Sequence, residues 1–192
     1  MLTKLPAKPR PDRTRSVVIN SPFDPAYKPL LDAACFTIRS SNYMPRCALD
    51  YSDSGGVRFT EIVKMITECD LSIHDISRVE LDPNSLLPRF NMPLELGADL
   101  GLRLAGPPLQ RRRKTLILDA DAHRYDKTLS DISVMDIEAH GSDVRTVVRV
   151  VRDWLNANRA HGEPPLLGDT AINEDYDLPH TDYMHVVETA LP

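Results

Sequence analysis

Short β-branched runs alternate with longer amphipathic segments along most of this chain, and that alternation constrains the fold more than any other feature. Ser16-Val17-Val18-Ile19-Asn20 reads as a buried strand by composition. Over residues 26–40, Tyr27, Leu30, Leu31, Ala34, Cys35 and Ile38 recur at helical spacing. A second strand is predicted over 43–49. A second helix is predicted over 57–68, with Phe59, Ile62, Val63 and Ile66 on one face. Residues 71–74 form a third apolar run ending at Asp75, and 114–119 a fourth. A weaker strand is expected at 134–137. Between the third and fourth runs lies a helix over 92–104, with Pro93 in its first turn and Asn91 as N-cap. A last long helix is predicted over 142–158, capped by Ser142. Strands that alternate with helices predict an α/β fold, an open parallel sheet with helices on both faces and right-handed crossovers.

Composition sets the remaining bounds. The 192 residues, 42% of them hydrophobic, suffice for one core. We expect a disordered basic, proline-rich leader over residues 1–15, an α/β domain over 16–158 and an acidic, proline-containing arm over 159–192. That arm would hold at most a short helix near its end. A net charge of -5 argues against a nucleic-acid partner. No apolar run is long enough to span a bilayer. Cys35, Cys47 and Cys69 are odd in number and widely spaced. They read as free, reduced, buried thiols of a cytoplasmic protein rather than as metal ligands.

Ligands of open parallel sheets bind beyond the carboxyl ends of the strands, where strand order reverses. Asn20-Ser21, Asp75 and Asp119 fall at such ends. Asn91-Met92-Pro93-Leu94-Glu95-Leu96-Gly97 adds a carboxylate, Glu95, inside an otherwise apolar helix. Burying a charge costs several kcal/mol unless it is paired or its raised pKa is put to use. Glu95 is therefore either a functional carboxylate or a structural one paired with Arg58 or Arg103. Asp75 has a similar choice between a functional role and an Asx-type turn or cap. His74 reads as a hydrogen-bonded core histidine. The loop at 53–56 reads as an exposed turn, and Arg111-Arg112-Arg113-Lys114 as a solvated basic loop. Asp119-Ala120-Asp121-Ala122-His123 lacks the spacing of a calcium loop.

Val17-Val18-Ile19-Asn20-Ser21-Pro22-Phe23, then Ile73-His74-Asp75, then Pro93-Leu94-Glu95-Leu96-Gly97, form an ordered set. That set resembles the nucleoside 2-deoxyribosyltransferase group and its relatives, the Toll/interleukin-1-receptor-like NAD-cleaving domains. The resemblance spans roughly residues 16–119. It implies a Rossmann-like (flavodoxin-like) sheet and cleavage of an N-glycosidic bond. Glu95 would act at the anomeric carbon and Asp75 would support it. Substrate contacts would come from Asn20, Ser21, Pro22, Phe23, Asn91 and Met92. Arg58, Arg78 and Arg89 would meet an anionic group such as a nucleotide phosphate. Where the transferases carry a further acid and a small-residue turn, this chain has Pro88-Arg89-Phe90-Asn91-Met92. No organic cofactor or metal is implied, and NAD is a possible substrate. Self-association and a role in bacterial defence would follow the same relatives. The alternative is a non-catalytic nucleotide-binding sensor of the same fold.

Overall fold

The computed structural model describes residues 12–48, 58–79, 81, 87–127, 129–132, 135 and 137–177. Among them five strands form one parallel sheet: β1 (Ser16–Asn20), β2 (Met44–Cys47), β3 (Leu71–Asp75), β4 (Lys114–Asp119) and β5 (Ile137–Ala139). Their order is β2-β1-β3-β4-β5. The helices are α1 (Lys28–Ser40), α2 (Arg58–Thr67), α3 (Asn91–Ala105), α4 (Val144–Asn158) and α5 (Asp169–Tyr176). This is the open, flavodoxin-like sheet expected from the alternation. The chain runs outward from β1 to β2 and returns to the other side of β1, so strand order reverses between β1 and β3.

β1 and β3 are buried at every position. Val17-Val18-Ile19 of β1 reads as a continuous run for that reason, whereas β3 alternates Leu71 and Ile73 with Ser72 and His74. The two-residue period still sorts their side chains. Val17, Ile19, Leu71, Ile73, Leu116 and Leu118 join a core with α1, α4 and α5. Val18 packs on the opposite face against Ile62, Met65 and Ile66 of α2, and Ile117 packs there against Leu96 of α3. In register with Val18 and Asn20 stand Ser72 and His74, and next to Ser72 stands Thr115. The α3 face of the sheet is thus apolar at some positions and polar at others.

Several boundaries differ from the sequence reading. β5 lies at Ile137–Ala139 rather than 134–137. Its ladder continues past the apolar residues because the His140 N–H donates to the Asp119 carbonyl. α3 begins at Asn91, so Asn91 is its first residue and not its cap; Phe90 takes that place with helical torsions and no side-chain cap. The cap of α4 is Asp143, whose carboxylate accepts from the Thr146 N–H at 2.7 Å. Ser142 precedes it at φ 56° after Gly141 at φ 58°. Two consecutive left-handed residues make this turn, which favours glycine at the first. The arm holds α5 at Asp169–Tyr176, ahead of its end. Ile172 is fully buried among α1 and α4 residues, and Tyr176 meets Phe36 edge-on at 5.4 Å. Cys69 is buried, whereas Cys35 and Cys47 are half-buried. Residues 1–11 of the leader, the 53–56 turn and the end of the arm lie outside the described residues. Arg13–Arg15, expected to be disordered, instead form a 3-10 turn capped by Asp12 and tied to the body by the Arg13–Asp70 ion pair.

Ile172→Ala should destabilise the protein by about 2–4 kcal/mol, the range for emptying a well-packed isoleucine site. Urea unfolding measures this, and a change below about 0.5 kcal/mol would remove α5 from the core.

Candidate functional site

At the point where strand order reverses, a cavity of about 730 Å³ opens, within the range of small-molecule sites. β1 contributes Val18, Ile19 and Asn20, and the loop after it Pro22, Phe23 and Asp24. α2 contributes Arg58, Phe59, Ile62 and Met65. The start of α3 contributes Asn91, Met92, Leu94 and Glu95, and the segments before it Arg78 and Arg89. Of the expected site residues, Asn20, Pro22, Phe23, Arg58, Arg78, Arg89, Asn91, Met92 and Glu95 therefore share one wall system. Ser21 and Asp75 do not line it.

Glu95 is only 9% exposed. Among the described residues no hydrogen bond or ion pair reaches its carboxylate, so neither Arg58 nor Arg103 holds it. Burial pushes its pKa up to about 7, and the Arg58 charge offsets only part of that rise. The Arg58 guanidinium lies 5.9 Å over the Phe23 ring.

The mouth carries a different arrangement. Asp24 accepts from Arg78 Nε at 3.2 Å and Arg78 Nη2 at 3.1 Å, and Arg89 Nη1 stands 3.9 Å away. Burial acts to raise the Asp24 carboxyl, but the hydrogen bond and charge of Arg78 outweigh it and hold it below the usual range. A carboxylate of the chain itself thus occupies the space between two arginines.

Asp75 is fully engaged elsewhere. Its Oδ2 accepts from the Tyr27 hydroxyl at 2.5 Å and lies 3.0 Å from His140 Nε2. Its Oδ1 accepts from the Ser77 N–H at 2.8 Å, an Asx-type turn. Ser77 Oγ lies 2.9 Å from His140 Nε2, and His140 Nδ1 accepts from the Ser142 N–H at 2.9 Å. Burial and the Asp75 charge push the Tyr27 hydroxyl up. This network, closed to the cavity, ties the ends of β3 and β5 to α1. Asp119 is likewise held, by Arg124 and the Ala120 N–H.

His74 is the hydrogen-bonded core histidine the sequence suggests. Its Nδ1 lies 3.0 Å from Asn20 Nδ2, and its Nε2 lies 3.1 Å from Asp99 Oδ2. Asp99 also accepts from Ser72, from Thr115 Oγ1 at 3.0 Å and from Arg113 Nε. Burial acts to raise the Asp99 carboxyl, yet His74, Arg113 and Ser72 together hold it well below the usual range. The sequence reading missed Asp99, although it stands four residues after Glu95 on the same helix face. It also placed Arg113 in a solvated loop. Arg113 is buried, and its Nη1 donates to the carbonyls of Ile66 and Cys69.

No protein-family model, curated protein or solved structure matches this chain. Its site is therefore read from its own geometry. Among the described residues no group of three or more His, Cys, Asp or Glu could hold a metal ion. No helix among them is long and apolar enough to cross a membrane.

The raised pKa of Glu95 has a consequence for stability. Ionising this group costs more in the folded chain than in the unfolded one, so the penalty is absent below about pH 4.5 and complete above about pH 7. Glu95→Gln should therefore gain on the wild type as pH rises from 4 to 8, on the order of 1–2 kcal/mol after allowance for solvent screening. Guanidinium unfolding at both pH values checks this. An equal difference at both would mean that the carboxylate is solvated.

Proposed function

We propose that this protein breaks the N-glycosidic bond of a nucleotide or nucleoside, with Glu95 acting at the anomeric carbon. The observation that carries this reading is a buried carboxylate, without a partner among the described residues, on the wall of a cavity at the strand-order switch point. As the C1′–N bond breaks, its electron pair leaves with the base and positive charge develops at C1′. A poorly solvated carboxylate gains from that charge more than a hydrated one does. It can stabilise the oxocarbenium ion or bond to C1′ before water completes the hydrolysis. Only the ionised form does this, so the rate should rise with pH through about 7.

The rest of the wall suits the same class of substrate. Phe23, Phe59 and Met92 offer apolar surface for a base. Arg58, Arg78 and Arg89 suit a phosphate, which would compete with Asp24 for two of them. Asp75, held by three donors, has the task of fixing the strand end rather than carrying a proton. The scheme needs no organic cofactor or metal, and NAD is among the candidate substrates. The order of motifs resembling the deoxyribosyltransferase and NAD-cleaving group supports this reading. A Glu95 with no arginine pair among the described residues favours it over a binding sensor, where such a pair would be expected.

Base release from NAD, nucleotides and nucleosides, followed by chromatography, tests the proposal. Wild type should release base from at least one of them. Glu95→Gln should lose about 10²–10⁴ of the rate. Release untouched by the substitution would overturn the role of Glu95. Tight nucleotide binding with no release would overturn the enzyme in favour of the sensor.

A further inference from the structure

The buried polar chain behind the cavity fixes what Asn20 shows to a ligand. Asn20 lines the cavity and is only 4% exposed. Its Nδ2 donates to the Met92 carbonyl at 3.1 Å and stands 3.0 Å from His74 Nδ1. A carbonyl can only accept, so the nitrogen must face it and the amide cannot be turned round without loss. Asp99, an ionised acceptor, takes the His74 Nε2 hydrogen. The Asn20 amide nitrogen can only donate, so His74 Nδ1, 3.0 Å away, is the acceptor of its second hydrogen. Both Asn20 donors are used inside the protein. Its Oδ1 has no hydrogen-bond partner among the described residues and is not among the fully enclosed unpartnered atoms. It is left for the cavity.

We propose that Asn20 is a specificity-determining residue that selects a hydroxylated sugar ring. His74 is the positioning residue that holds the Asn20 amide, and Asp99 and Arg113 hold His74. The inference rests on the glycosidic reading and deepens it. Deep in the cavity Asn20 Oδ1 and the Glu95 carboxylate are acceptors, whereas at the mouth Arg78 and Arg89 are donors, with Asp24 as the acceptor an anion would replace. A complementary ligand carries hydroxyl donors at one end and an anion at the other, as a ribose 5-phosphate unit does. A sugar lacking the hydroxyl that meets Asn20 leaves a desolvated acceptor unpaired, which discriminates more strongly than a change of shape.

The test is calorimetric titration of the full-length protein with ribose 5-phosphate and with its 2-deoxy and 3-deoxy forms. These probes hold no base, so turnover does not enter. Wild type should bind ribose 5-phosphate at least about tenfold more tightly than one of the two deoxy forms. Asn20→Ala should reduce that ratio to about one, with Asn20→Ser as a second variant should the first fail to fold. His74→Gln, which perturbs the holder and leaves Asn20 in place, should shrink the ratio while leaving inorganic phosphate binding unchanged. A purely structural role would weaken all probes together. Equal binding of the three sugars by wild type, or an undiminished ratio in both Asn20 variants, would overturn the inference. Selective binding without base release from any substrate would leave it standing and overturn only the catalytic reading. No binding of any sugar phosphate would overturn the inference whatever base release shows.

Discussion

The ion pair between Asp99 and Arg113 is the interaction on which the rest of the site depends. Both side chains are fully buried. Such a pair is costly to desolvate and is tolerated only when its remaining hydrogen-bonding groups are also met. Here most of them are. Arg113 caps the carbonyls of Ile66 and Cys69 at and just beyond the end of α2, where a helix leaves carbonyls without partners. Asp99 takes Ser72 from β3, Thr115 from β4 and His74. One ion pair thus fastens α2, α3, β3 and β4 to each other on the face of the sheet that bears the cavity. The depth and rotation of α3 follow from it, and with them the position of everything on its first turns.

Glu95 and Asp99 show what that placement does. They are four residues apart on one helix face, so the helix itself gives them the same direction. Their surroundings separate them. Asp99 is ringed by donors, which hold it ionised against its burial. Glu95, one turn nearer the strand ends, is desolvated without a partner among the described residues, and its pKa rises to about 7. Two carboxylates pushed in opposite directions by their environments divide the work between structure and chemistry. The donor-rich one cannot act on a ligand, and the poorly solvated one gains most from a nearby positive charge.

The fold was legible because its signals are local. β-branched runs such as Ser16–Asn20 and the apolar spacing of α1 and α4 reflect strand and helix periods directly. Cavity residues at strand ends and on α3 were legible for the same reason, since topology alone puts them there. Partner choice was not. Asp75 joins His140 from 65 positions away, and no local pattern encodes that pairing. Arg113 stands in a run of basic residues whose other three members are exposed, so composition misassigned it. Asn91 and Ser142 were read as caps because their residue types suit that task. In the chain, α3 starts one residue earlier and a left-handed turn moves the α4 cap to Asp143.

The mouth and the wall of the cavity carry unequal parts of recognition. At the mouth, Asp24 already occupies Arg78 and faces Arg89, on partly exposed side chains. An incoming anion replaces one carboxylate–guanidinium contact with another, and solvent screens both. The net gain there is a difference between similar terms, so the arginines draw an anion in more than they rank one ligand above another. The wall behaves otherwise. Asn20 is held by His74 and Met92, and Glu95 is held by the helix that Asp99 anchors. Neither can turn to suit a poor ligand without breaking a buried hydrogen bond or moving α3. Rigid acceptors in a nearly dry wall penalise every ligand that fails to pair with them. Discrimination therefore resides where the chain is most constrained, next to the ion pair that constrains it.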